Sequence, residues 1–133
     1  MEMPPVQTMS QDSPVAQAAG IALLDRQHLR HQTLGDKELA RIVLGLFLDE
    51  APRYASDIAA ARDAKAWKMA VHTLKGVALN IGAFRLAQLC RECESPDQMA
   101  DLGGPGTAAV RLGLMLDETT SAIRDMVSPD YTI

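Results

Sequence analysis

Trp67-Lys68-Met69-Ala70-Val71-His72-Thr73-Leu74-Lys75-Gly76-Val77-Ala78-Leu79-Asn80-Ile81-Gly82 is the stretch that decides how this chain folds. Apolar residues recur at Trp67, Val71, Leu74, Ala78 and Ile81, a rhythm that only a helix turns into one stripe. Asp63 is placed to cap this helix at its start, and Asn80 and Gly82 to end it, since both tolerate a left-handed turn. At about 100° per residue, His72 comes out roughly 135° from the centre of the stripe, so it faces water. Gly76 lies within about 40° of His72 in azimuth, while Lys68 and Lys75, at i−4 and i+3, are its neighbours on the helix surface.

Each of these residues has a chemical use. Neutral imidazole offers a nitrogen lone pair near physiological pH, which suits it to attack phosphorus. A phosphoryl group carries negative charge throughout transfer, so the Lys75 ammonium is placed to stabilise it. Glycine inside a helix costs about 1 kcal/mol relative to alanine. At Gly76 the bare backbone has a compensating use: another protein's site can close over the histidine. Lys68, Met69 and Leu79 share the exposed side and supply a docking rim. A solvent-facing histidine alone is an ordinary surface residue; the combination is what carries the reading.

Outward from this helix the pattern stays helical, with neither strand-like alternation nor an internal repeat. Upstream, a short helix is expected from Asp25 to about Leu34, stopped by Gly35. Asp36 then caps a second helix with apolar positions Leu39, Ile42, Val43, Leu46 and Phe47. The phase resumes beyond Pro52 at Tyr54, Ile58 and Ala61, which favours one bent helix over two. Downstream, a helix over about residues 83–94 buries Leu86, Leu89, Cys90 and Cys93. Pro96 and the run Gly103-Gly104-Pro105-Gly106 mark a loop. A last helix, about 107–127, carries Leu112, Met115, Leu116, Ile123 and Met126. Four long amphipathic helices with short connections imply an all-α fold, an antiparallel up-and-down four-helix bundle with a short additional N-terminal helix. Residues 1–20, rich in Pro, Gln, Ser and Ala, read as a flexible N-terminal tail, and residues 21–133 as the bundle domain.

The bulk numbers agree. A chain of 133 residues with 47% hydrophobic and 23% charged residues is one globular domain. The net charge of −4 argues against a general nucleic-acid binder. No apolar run approaches the roughly 20 residues that span a bilayer, so no membrane role is expected. Without a basic region followed by a sustained apolar one, the N-terminus does not read as a signal peptide, and a cytoplasmic location follows as an expectation, with both cysteines reduced.

The string His72-Thr73-Leu74-Lys75-Gly76, followed by Gly82-Ala83, Leu86, Leu89-Cys90 and Glu94, resembles the histidine-containing phosphotransfer (HPt) domain family. Gly35-Asp36, Leu39, Phe47-Leu48 and Pro52 resemble that family's preceding helix, so the similarity spans about residues 24–94. The resemblance implies a phosphorelay intermediate without autokinase activity. In it His72 accepts a phosphoryl group from the aspartyl phosphate of one receiver domain and passes it to the aspartate of another, within a two-component system. By the same resemblance Lys75 stabilises the phosphoryl group and Gly76 gives access. The implied partners are receiver domains of response regulators and of hybrid histidine kinases. The chain itself holds no metal and no cofactor, Mg²⁺ belonging to the receiver, and works as a monomer. Two positions depart from the family pattern: Val77 stands where Ser is frequent, and Cys93 where Leu precedes Glu.

Other features have plainer readings. Cys90-Arg91-Glu92-Cys93 is formally a CxxC, but it falls mid-helix in the apolar phase and lacks a second ligand pair, so core packing is expected. His28 and His31 lack a third ligand and read as surface residues. The glycines near Lys75 do not follow the order of a phosphate-binding loop. Lys65, Lys68, Lys75 and Arg85 form either an ordinary solvated face or a basic patch that steers an acidic receiver surface. The phospho-acceptor region of a histidine kinase is also helical, but there an acidic residue follows the histidine and a proline comes about a turn later. This chain has Thr73 and Val77 and no room for an ATP-binding domain. A non-catalytic helical adaptor would not need His72, Lys75 and Gly76 together.

Overall fold

The structure, a computed structural model, describes residues 23–128. The tail expected over residues 1–20 lies outside the described residues. The described chain forms α1 (Arg26–Gln32), α2 (Lys37–Ala60), α3 (Ala64–Ile81), α4 (Phe84–Glu94), α5 (Pro96–Asp101) and α6 (Pro105–Val127), with no strand among them. The fold is all-α, as the periodicity requires.

The starts of the first three helices are set by aspartates, whose short carboxylates satisfy amides that the helix leaves without partners. Asp25 accepts from the amide of His28 at 3.0 Å. Asp36 accepts from Glu38 and Leu39 at 3.0 and 3.1 Å. Asp63 accepts from Ala66 at 2.8 Å. Pro52 lies inside α2, which continues through it as one helix, as expected.

Gly82 does two things at the α3–α4 corner. Its φ of 87° ends α3 in the left-handed region, and its carbonyl accepts the Asp25 amide at 2.8 Å. A Cβ there would lie 2.9 Å from the Asp25 carbonyl oxygen. Only glycine permits both the turn and the close seating of α1.

Helix contacts close into a ring, α2 on α3, α3 on α4, α4 on α6 and α6 on α2; α1 touches α2 and α3, and α5 touches α4 and α6. The core inside this ring takes Val71, Leu74, Ala78 and Ile81 from α3, as the stripe predicts, with Trp67 only half-buried at its edge. Leu86, Cys90 and Cys93 enter from α4, and Leu112, Leu116, Ile123 and Met126 from α6. Leu89 and Met115, expected in the core, are half-buried. Each fully enclosed Leu or Ile contributes about 1.5–3 kcal/mol.

The phase expected for α2 is corrected in part: Phe47, Tyr54 and Ile58 are buried as expected, but most of the other expected positions are not. Its buried residues are Ala40, Leu44, Phe47, Ala51, Tyr54 and Ile58, alternating in steps of four and three. Leu39, Ile42 and Leu46 are exposed, at 39%, 51% and 60%, and Val43 and Ala61 sit halfway. Two alanines, Ala40 and Ala51, share the seam with Leu44, Phe47, Tyr54 and Ile58, while the bulkier Leu39 and Leu46 stay outside it. The loop expected between Pro96 and Gly106 is also corrected, because its first part is α5. Ser95 caps α5, its hydroxyl accepting from the Gln98 amide at 3.3 Å, with Pro96 at the first helical position. α5 contributes no fully buried residue, so no apolar rhythm marked it in advance. On α6, Thr119 and Thr120 are buried with their hydroxyls donating to the carbonyls of Met115 and Asp117, at 2.8 and 3.0 Å.

Candidate functional site

His72 projects from the outer face of α3 with 72% of its side chain exposed, while its neighbours Val71 and Leu74 are fully enclosed. The azimuth read from the sequence places it correctly. Across the packed α3–α4 pair lies Glu94, the last residue of α4. One carboxylate oxygen of Glu94, Oε2, is 3.1 Å from Nδ1 of His72. The other, Oε1, accepts from Nζ of Lys75 at 2.6 Å. A single carboxylate therefore bridges the imidazole and the ammonium.

Burial alone would raise the pKa of Glu94, but the hydrogen bonds from Lys75 and His72 and the charge of Lys75 outweigh it and hold the carboxyl below its ordinary value. Glu94 is thus ionised at neutral pH, and an ionised carboxylate only accepts hydrogen bonds. Nδ1 of His72 must carry the hydrogen and donate it. The lone pair of the neutral ring then resides on Nε2, the nitrogen away from Glu94.

The register that brings Glu94 here is held by Trp67, whose Nε1–H donates to the Cys93 carbonyl at 2.9 Å. That bond fixes the backbone immediately before Glu94 to the first turns of α3. Gly76 is exposed, and a Cβ built on it would meet nothing within 4 Å. The absent side chain answers to no crowding within the fold, so the space it leaves is open to an approaching surface.

The expected docking residues divide. Lys68 is exposed, Met69 is 63% and Leu79 37% exposed, and all three lie on α3 with His72. Arg85 is corrected: it is buried at 5% exposure, inside the first turn of α4, so it takes no part in a surface patch. Lys65 remains exposed. Of the two α1 histidines, His31 is exposed, but His28 is half-buried, its ring packed edge-on against Phe84 with centroids 5.0 Å apart.

Both cysteines are free and buried, as core packing requires. Burial, reinforced by Cys93 and Glu94, pushes the Cys90 thiol up to about 12; burial and Glu92 push Cys93 up to about 11. Neither is a nucleophile in the folded state. Among the described residues no group of three or more His, Cys, Asp or Glu side chains is arranged to hold a metal ion, and no helix is long and apolar enough to cross a membrane.

Glu94 is the member of this cluster that the sequence pattern shows least plainly. It was visible only as the end of a motif, because its meeting with His72 depends on the α3–α4 register across 22 residues. Compared with known families, residues 42–125 match the model of the Hpt domain, a span that covers α3 and α4 entirely and most of α2 and α6. No curated protein and no solved structure matches the chain.

Proposed function

This chain belongs to the Hpt domain family, and from that premise we propose that His72 is its phospho-accepting residue. In this reading a phosphoryl group passes between receiver-domain aspartates by way of Nε2. The observation that carries the proposal is the Glu94 bridge, which favours a proton on Nδ1 and leaves Nε2 as the nitrogen not engaged by Glu94 on a side chain that is 72% exposed.

The step balances without a free proton. The Nε2 lone pair attacks the phosphorus of an aspartyl phosphate, the bond from phosphorus to the aspartyl oxygen breaks, and the aspartate leaves as a carboxylate. The ring, still protonated on Nδ1, becomes a phosphorylated imidazolium whose positive charge lies against Glu94. In the return step a second aspartate attacks phosphorus and the P–N bond breaks, its electron pair going back to Nε2. Lys75, held by Glu94 in the resting state, is one turn from the phosphoryl position and exchanges its partner for phosphoryl oxygens during transfer. Gly76 leaves room for the receiver to approach.

The ring of α2, α3, α4 and α6 is taken as the antiparallel up-and-down four-helix bundle expected for this role. The partners are receiver domains of response regulators and of hybrid histidine kinases, with Mg²⁺ on the receiver and no cofactor on this chain. We further propose that the chain acts in the cytoplasm as a monomer and has no autokinase activity.

Mixing with a phosphorylated receiver is expected to place an acid-labile, base-stable phosphate on this chain. His72→Gln abolishes it with helicity unchanged by circular dichroism. A label that survives in the variant overturns the assignment, and labelling by ATP alone overturns the carrier role.

A further inference from the structure

We propose that Trp67 is a positioning residue for phosphoryl transfer: by holding the Cys93 carbonyl, its indole N–H keeps the Glu94 carboxylate on the imidazole of His72. The proposal rests on the phosphotransfer reading, and it adds a residue that touches none of the reacting atoms.

Glu94 closes α4, and the carbonyls in the last turn of a helix have no partners within it. The Ser95 amide takes the carbonyl of Glu92 at 3.3 Å, and the chain leaves the helix through Ser95, whose φ of −100° and ψ of 121° are extended. Arg91, the basic residue of that turn, donates instead to Gln88 at 2.7 Å. The Cys93 carbonyl is met from outside the helix, by the Trp67 indole at 2.9 Å. That anchor belongs to α3, the helix that carries His72, and lies five residues before it, about 7.5 Å of helix rise. One helix thus carries both the imidazole and the clamp on the residue preceding the carboxylate partner of that imidazole.

The distances show where slack in that turn is felt. Glu94 reaches Lys75 at 2.6 Å and His72 at 3.1 Å. The Lys75 ammonium, on a flexible four-carbon stem, follows a carboxylate that shifts, whereas the His72 contact already stands near the long end of the N–H···O range. A displacement of about 1 Å therefore breaks the His72 contact and spares Lys75, and misplacement of that size at a reacting group costs up to about a hundredfold. The ring then loses the acceptor that holds its hydrogen on Nδ1. The tautomer with hydrogen on Nε2 gains, and it has no lone pair on the nitrogen that attacks phosphorus. A half-buried indole takes an acceptor in any fold. Here the acceptor is the backbone one residue before Glu94, and a ring of equal bulk without the N–H separates the two roles.

The test uses phosphoramidate, a small donor that labels His72 without a docked partner, and two replacements of the indole. Trp67→Phe removes the hydrogen-bond donor. Because the chain has a single tryptophan, growth on benzothienylalanine also replaces it by an isostere with sulfur in place of N–H, which decides the matter where Trp67→Phe loses helicity. Each replacement is expected to slow labelling by about threefold to tenfold and to raise the share of the Nε2–H tautomer in nitrogen NMR spectra recorded in mildly alkaline solution. In a Glu94→Ala background no carboxylate is left to position, and the same replacements are expected to change the rate by less than about twofold. Equal slowing in both backgrounds makes Trp67 a packing residue and overturns the proposal, as do an unchanged rate and tautomer in the benzothienyl protein. Failure of phosphoramidate to label wild-type His72 overturns the underlying phosphotransfer reading instead, and the tautomer spectra still judge the clamp.

Discussion

Cys93 and Glu94 are adjacent in sequence, and the difference between them shows how this fold assigns reactivity. Cys93 turns into the core, where burial acts on its thiol with no cation to offset it, and the group is pushed up to about 11. Glu94 turns toward the rim of the same helix end, where burial is opposed by Lys75 and His72, and its carboxyl is pulled down. Loss of water is felt by both. What separates an inert filler from an organising charge is whether a partner of opposite character stands within hydrogen-bond reach.

The largest effect that tests this contrast lies on the inner side. A Cys90 thiol near 12, against an ordinary 9.0, leaves about a thousandfold less thiolate at mildly alkaline pH. Iodoacetamide is therefore expected to alkylate Cys90 of the folded chain at least that much more slowly than Cys90 of the urea-unfolded chain, followed by peptide mass spectrometry. Rapid native labelling would break the comparison.

On the outer side, Glu94→Gln keeps the shape of the side chain and removes its charge. Transfer to His72 is expected to slow by about tenfold to a hundredfold in stopped-flow mixing with a receiver, as the imidazolium loses its counter-charge. The sign of the accompanying pH effect is fixed. A carboxyl depressed in the folded state contributes stability that is fully present above its unfolded pKa and is lost as pH falls through the lower folded value. The Tm gap between wild type and Glu94→Gln should accordingly close as the solution is acidified below the ordinary carboxylate range. A gap independent of pH would show that the side chain acts by shape alone.

The smallest effect sharpens the contrast between sides. Gly76→Ala places a methyl group where nothing lies within 4 Å, so it should raise stability by up to about 1 kcal/mol in urea titrations while slowing receiver transfer. Destabilisation would mean that Gly76 serves packing rather than access.

How much of this was legible beforehand depended on the kind of signal. The α3 stripe was plain because branched or bulky residues occupy most of its buried positions, leaving His72 opposite. In α2 the seam includes Ala40 and Ala51, and the eye follows Leu39, Ile42 and Leu46 instead, which are exposed. Size and phase disagreed there, and phase won. The short α5 buries nothing fully and so gave no rhythm, although Ser95-Pro96 is a helix start by its chemistry. Arg85 was assigned to the surface by its charge, yet the turn of α4 that carries it faces inward. Glu94 was present in the motif, but its bridging role exists only once two helices are set side by side.

The indole bond to the Cys93 carbonyl has a practical consequence. This chain contains a single tryptophan, so its indole emission, as distinct from that of its two tyrosines, comes from one place, clamped to the backbone link just ahead of Glu94. Anything that loosens or rehydrates that end of the α3–α4 pair alters the brightness and colour of that one emitter, which gives the molecule an internal optical gauge on the same helix as His72 with no dye attached.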